Sequence, residues 1–233
     1  MAAIELFDTY LYDDADLKSY YRLEADSTDS KGLNTGTDTS MTYGAGKFNN
    51  GAIFNGSTGR ISLGTSKFNH TTMTICFWLV NKGTDKTGYL IARTRDADRW
   101  ASMAILMHAS TIRLVTNDDV GITQLGCATY ASLTNGDHLA FVLKSDGTAK
   151  FYKNGALQTP TDTLTGFGAW NANITEELAI GRAGAFNNYY FDGKIDDLAF
   201  FSRELTSVEI ADIYNGTSNG APVTSTGAFF QFL

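Results

Sequence analysis

Cleaving a glycosidic bond takes two carboxyl groups facing each other across a sugar at roughly 5–10 Å, one an acid and the other a nucleophile or base. A strand supplies such a pair when acids occupy alternate positions, because alternate side chains share one sheet face. One candidate, EADSTD at Glu24 to Asp29, lacks the apolar alternation of a strand. The three histidines, His70, His108 and His138, stand apart with no nucleophile and base spacing. Cys76 and Cys127 sit in apolar, strand-like surroundings rather than in metal or redox spacing. They read as small buried thiols, with a disulfide between them the less favoured reading. The expectation is that the chain is not an enzyme. A glycoside hydrolase assembled from carboxylates distant in sequence is kept as the lesser alternative.

Binding chemistry is better represented. A sugar is held by flat aromatic rings against its C–H faces and by amides or carboxylates at its hydroxyls, carried on rigid loops. GFGAWNANITEE offers Trp170, Asn171 and Asn173, and GRAGAFNNYYFDG offers Phe186, Asn187, Asn188, Tyr189 and Tyr190. A third loop, RTRDADRW, adds Arg95, Asp98, Arg99 and Trp100. The bland reading of an aromatic side chain in such a chain is core packing, and Trp78 inside ICFWL belongs there.

The elements that must hold these loops read as short strands. HLAFVLKSDGTAKFYKNGALQ contains Asp146-Gly147 and Asn154-Gly155, dipeptides that tolerate the positive φ angles of tight turns between alternating runs. A meander of strands near 139–144, 149–153 and 156–158 follows. Further strands are expected at 52–55, 59–63, 73–80, 89–93, 102–107, 111–116, 177–181 and 194–202. One helix stands out, in LTSVEIADIYNG: Thr206 is placed as N-cap with Glu209 three residues on, and the helix ends at Gly216. A weaker helical stretch is expected over Asp14 to Tyr21.

Composition bounds the rest. Of 233 residues 43% are hydrophobic and 12% aromatic, with 23 Gly and 2 Pro, which suits an all-β chain of Gly-rich turns and excludes a disordered or collagen-like one. No apolar run approaches the length that spans a bilayer, so membrane insertion is not expected. The acidic start MAAIELFDTYLYDDADLK lacks the basic n-region and apolar core of a secretion signal. A net charge of −7 argues against nucleic acid as a partner. Residues 1–19 read as an N-terminal segment, 20–216 as one domain, and 217–233 as a small-polar linker plus the apolar tail GAFFQFL. Phe229, Phe230, Phe232 and Leu233 are either a last strand of the same domain, the favoured reading, or an arm that docks in a partner or a homo-oligomer.

Several phrases, taken in order, carry a resemblance. YYRLEADSTDSKG, GKFNNGAIFNGSTGRISLG, MTICFWL, FYKNGAL, LAIGR and, most specific, YFDGKIDDLAFFSRELTSVEIADIYNG together cover Tyr20 to Gly216. The chain resembles the laminin G-like, three-type LamG domains of the concanavalin A-like lectin and glucanase superfamily. The resemblance implies a jelly-roll β-sandwich of two antiparallel sheets with one short C-terminal helix. It also implies where to look for catalysis, since β-glucan-cleaving relatives carry an ExDxE or ExDxxE strand, and none is found here. His138 stands where the family commonly has a Trp-His pair, at a sandwich edge. By the same resemblance Asp196 of KIDDL, with Asp26 or Asp29 and loop carbonyls, would hold a structural calcium, while Asp192, Asp196 and Asp197 as solvated or turn-capping residues is the equal alternative.

Fold alone assigns no activity. Two readings are carried forward. One is a non-catalytic, lectin-like display or adhesion module with a glycan or protein partner, such as a bacteriophage decoration or tail protein assembled on the virion surface. The other is a stand-alone carbohydrate-binding protein of a bacterial surface or polysaccharide-degrading system, reaching the cell surface by a route without a secretion signal.

Overall fold

The computed structural model describes residues 5–6, 9–65, 67–94, 101–117, 122–161, 176–183 and 189–216. In chain order the strands are β1 (Leu17–Tyr21), β2 (Thr37–Thr39), β3 (Thr42–Ala45), β4 (Asn50–Asn55), β5 (Arg60–Thr65), β6 (Met73–Asn81), β7 (Gly88–Thr94) and β8 (Ala101–His108). They continue with β9 (Thr111–Asn117), β10 (Ile122–Thr129), β11 (Asp137–Leu143), β12 (Ala149–Lys153), β13 (Ala156–Leu157), β14 (Glu177–Ile180) and β15 (Asp192–Phe201), before the helix α1 (Ser207–Asn215). The strands form two antiparallel sheets. An eight-stranded sheet runs β13-β12-β11-β6-β15-β4-β3, with β1 also paired to β15, and a seven-stranded sheet runs β10-β9-β8-β7-β14-β5-β2. This is the jelly-roll sandwich expected from the sequence.

The inner faces interdigitate through alternate residues: Ile75, Phe77 and Leu79 of β6 and Phe141 of β11 meet Ile91, Ile105, Leu114 and Ile180 from the other sheet. Phe77 stacks on Phe141 at 6.1 Å and Phe68 on Phe200 at 4.4 Å. Met73 to Leu79 of β6 are all buried, so this strand shows no polar alternation. The reason is a second apolar layer on the outer face of the eight-stranded sheet. There Leu6, Leu11, Leu17 and Tyr20 join Leu205, Ile210 and Ile213 over Cys76, Ala140, Val142 and Phe201. Cys76 and Cys127 are free and buried, and burial pushes both thiols up to about 12.

Local chemistry explains the connections. Asn154 and Gly155 both have positive φ, the primed turn that matches strand twist, whereas at Asp146-Gly147 only Gly147 does. That second loop is a wider one, closed by Lys144 N–H to the Thr148 carbonyl and Gly147 N–H to the Lys144 carbonyl. The capping box of α1 is complete: Thr206 Oγ1 accepts from Glu209 N–H, and Glu209 accepts from Thr206 N–H. Gly216 closes the helix in the left-handed conformation, φ 62°. Arg203 ties Asp14 to Glu209, fastening the N-terminal segment to the helix.

Two expectations are corrected. Asp14 to Tyr21 is not helical; a 3-10 turn at Tyr10–Asp13 leads into β1, which pairs with β15. Pairing satisfies the backbone there and buries four of the five β1 side chains, which outweighs a weak local preference. Tyr20 thus lies inside a strand, and Leu6 and Leu11 join the outer apolar layer. β2, β3 and β10 also lie where no strand was expected. No helix among the described residues is long and apolar enough to cross a membrane.

Candidate functional site

The two outer faces differ in what they carry. On the seven-stranded sheet, Ile61, Leu63, Leu178, Ile180, Ile91, Met103, Ile105, Ile112 and Leu114 point inward, so their neighbours point out. Register aligns those neighbours into one row across six strands: Thr37, Ser62, Ala179, Ala92, Ala104 and Val115. Every side chain in it is small, and Ala179, Ala92, Ala104 and Val115 are buried; Ala92, Ala104 and Val115 join Leu106 and Ala183 in a third apolar cluster against which Tyr89 packs. Alongside runs a second row in which Tyr89 pairs with Leu106 and Leu106 with Arg113. Arg60, paired with Thr39, continues it on the far side of Gly181.

Tyr189 sits over this second row. Its backbone is in the left-handed region, φ 66°, which a bulky side chain adopts only under constraint. The constraint is visible: the Tyr189 carbonyl accepts from Tyr89 N–H at 2.9 Å, and Tyr190 makes a parallel bridge to Tyr89. The Tyr189 ring meets Tyr89 edge-on at 6.4 Å and is still 50% exposed. Burial, then the adjacent Tyr189, raises the Tyr89 phenol above its ordinary value. Two carboxylates lie at the other end of the face. Glu177 is 3.7 Å from the Arg182 guanidinium, and Glu176 accepts from Ser102 Oγ at 3.4 Å.

Of the residues named from sequence for ligand binding, Tyr189 and Tyr190 are thus brought to the seven-stranded sheet. Trp100, Trp170, Asn171, Asn187 and Asn188 lie outside the described residues, as do Phe229, Phe230, Phe232 and Leu233. Arg60, Arg113 and the row of small residues were missed. Their only trace in the sequence is the alternation in RISLG, LIAR and SMAIL, and it does not say which strands are neighbours.

The three carboxylates named for calcium have different surroundings. Asp29 organises the opening loop: its oxygens accept from the N–H groups of Tyr20, Lys31, Leu33 and Asn34 and from Ser19 Oγ. Asp26 caps the turn at Thr28 N–H. Asp196 is buried, and its Oδ2 accepts from the N–H groups of Lys47 and Phe48, both at 2.9 Å. Among the described residues no three His, Cys, Asp or Glu side chains converge as a metal set. Asp197 is no solvated turn residue either; it takes Leu6 N–H and the Tyr20 hydroxyl and so clips the N-terminal segment down. Asp192 fits the alternative reading better, accepting from Thr84 Oγ1 and lying 3.6 Å from the Lys86 ammonium.

Asp196 belongs to a different cluster. In register on three adjacent strands, His138, Trp78 and Asp196 form a rung on the outer face of the eight-stranded sheet. Trp78 is buried, as expected of a core residue, and His138, expected at a sandwich edge, is buried beside it. Both lie under Tyr214 of α1, with Trp78 5.1 Å from His138 and 5.7 Å from Tyr214. Phe48 meets Trp78 edge-on, and the Lys47 ammonium sits 4.0 Å over its ring. Burial drives Asp196 up to about 7 and, with help from the Lys47 charge, His138 down to about 3.

Comparison with known proteins agrees with this architecture. A family model described as the concanavalin A-like lectin/glucanases superfamily matches residues 55–211. No curated protein matches the chain. Among solved structures, domain 4 of AbnA, a GH43 extracellular arabinanase from Geobacillus stearothermophilus seen in complex with arabinotriose, superposes with a TM-score of 0.68 at 21% identity. That alignment covers 85% of this chain and 98% of the domain. The receptor binding domain of a botulinum neurotoxin C/D mosaic serotype follows at TM-score 0.64 and 13% identity, covering 86% of this chain and 51% of that one. Trypanosoma rangeli sialidase in complex with the inhibitor DANA gives 0.63 and 15%, covering 87% and 33%. The chain therefore spans about half of the toxin domain and a third of the sialidase, and at these identities the likeness is one of fold.

Proposed function

The chain belongs to the concanavalin A-like lectin/glucanase superfamily, and from that premise we propose that it is a non-catalytic glycan-binding module whose ligand lies across the outer face of the seven-stranded sheet. The observation that carries this reading is Tyr189. An aromatic ring held in a left-handed backbone, braced edge-on by Tyr89 and left half exposed, suits the C–H face of a pyranose. The arabinanase domain bound to arabinotriose supports it by fold and scale, since nearly its whole length matches.

The distribution of acids supports a binding rather than a hydrolytic role. Glu176 and Glu177 are consecutive residues at one end of the face, and each is already engaged, so neither faces the other across a bound sugar. Displayed on a bacterial or virion surface, such a module would serve adhesion to a host or to a polysaccharide. Glycan-array binding with the intact chain tests the reading: Tyr189→Ala should lose the glycans that the parent retains, with no sugar released from any of them. Undiminished binding by Tyr189→Ala places the ligand elsewhere, and measured release of sugar overturns the non-catalytic role.

A further inference from the structure

Arg60 stands out on the proposed glycan face because nothing neutralises it. Its side chain is partly buried, its Nε is shielded from solvent, and among the described residues it has no hydrogen-bond or ion-pair partner. A guanidinium half removed from water without a counter-ion loses hydration that no protein group replaces. Its planar donor fork fits a carboxylate or sulfate in bidentate fashion. The surroundings favour an anion too. The chain as a whole carries −7, yet this face bears Arg60 and Arg113, and its two carboxylates, Glu176 and Glu177, lie at the other end, engaged with Ser102 and Arg182.

The position of Arg60 relative to the rings is equally specific. β5 is separated from β7 by β14 alone, so Arg60 stands two strand spacings, about 10 Å, from the Tyr89 and Tyr189 pair. Between them β14 ends just before the buried Gly181: its N–H is donated to the Leu90 carbonyl, its carbonyl accepts from Phe191 N–H, and a Cβ there would run into the Phe54 ring inside the core. A ligand with a ring on Tyr189 can reach Arg60 with a negative group across that span. We propose, resting on the glycan reading above, that the site selects acidic saccharides, those carrying carboxylate or sulfate groups, and that Arg60 is the residue that reads the charge.

The test uses the full chain and two matched pairs of polymers: galactan with polygalacturonate, and dextran with dextran sulfate. Affinity electrophoresis should show preference for at least one acidic member over its neutral partner, weakening as salt rises. Arg60→Gln should weaken the acidic member about tenfold, the loss expected for one charge-assisted contact, and leave any neutral binding unchanged. Arg60→Lys should recover part of the preference, and Tyr189→Ala should weaken acidic and neutral polymers alike. Whichever acidic polymer responds to Arg60 distinguishes carboxylate from sulfate. Equal retention of acidic and neutral members, or acidic binding untouched in a folded Arg60→Gln, overturns the inference while the glycan reading stands. Retention of no polymer by the parent chain overturns both.

Discussion

The two sheets of this sandwich turn outward with opposite finishes. The eight-stranded sheet is roofed: residues 5–21 and α1 bury a second apolar layer on it, and at one end Phe48, Lys47 and Tyr214 close over Trp78. The seven-stranded sheet carries instead a row of small side chains, three arginines and a tyrosine pair with a strained, half-exposed ring. Both outer faces add apolar packing, and the seven-stranded one also holds the backbone strain of Tyr189.

That contrast can be broken by substitutions whose effects should fall off from one face to the other. Trp78→Ala removes a fully buried ring from the roofed face and should destabilise the protein by about 3–5 kcal/mol in urea unfolding. A loss under about 1 kcal/mol would mean that the roof contributes little.

Next in size come the two titratable neighbours of Trp78, which work against each other. Asp196, about 7 when folded against an ordinary 3.8, holds its proton more tightly in the native state. Its contribution is therefore full below pH 3.8 and is lost as pH rises through 7. His138, about 3 against 6.5, contributes fully above pH 6.5 and loses that contribution as pH falls toward 3. Between pH 3.8 and 6.5 the two slopes oppose. Relative to the parent, Asp196→Asn should gain stability as pH rises through this window, and His138→Gln should lose it. Parallel stability profiles for all three proteins would show that neither group titrates as its burial demands.

Smaller again is the cap. Thr206→Ala deletes one half of the capping box and should lower stability by about 1 kcal/mol, read as a shift in the thermal midpoint. Smallest is Tyr189→Gly on the other face, where stability should hold or rise by up to about 1 kcal/mol because glycine accepts the positive φ without strain. Glycan retention should vanish in the same variant. A marked drop in stability would make Tyr189 a packing residue and erase the contrast between the faces.

Much of the framework was legible without coordinates, because it rests on chemistry between near neighbours. Asn154-Gly155 dictates its tight turn, Thr206 and Glu209 their capping box, Gly216 its left-handed stop, and the apolar runs of β6 and β11 their burial. β1 was misread as helix because its stability comes from β15, 177 or more positions away, and β2 and β3 show no apolar alternation because they lie at sheet edges. The site was less legible still. Tyr189 and Tyr190 could be named from composition, but Arg60, Ala92, Ala104 and Arg113 become neighbours only through strand register. Asp29 and Asp196, alike as acids in a string of letters, are set apart by the N–H groups that surround one and the burial that leaves the other half satisfied. Local sequence chose the turns, caps and strands; the pairing of distant strands, which no short-range preference encodes, decided which side chains share a surface and which lie beneath a roof.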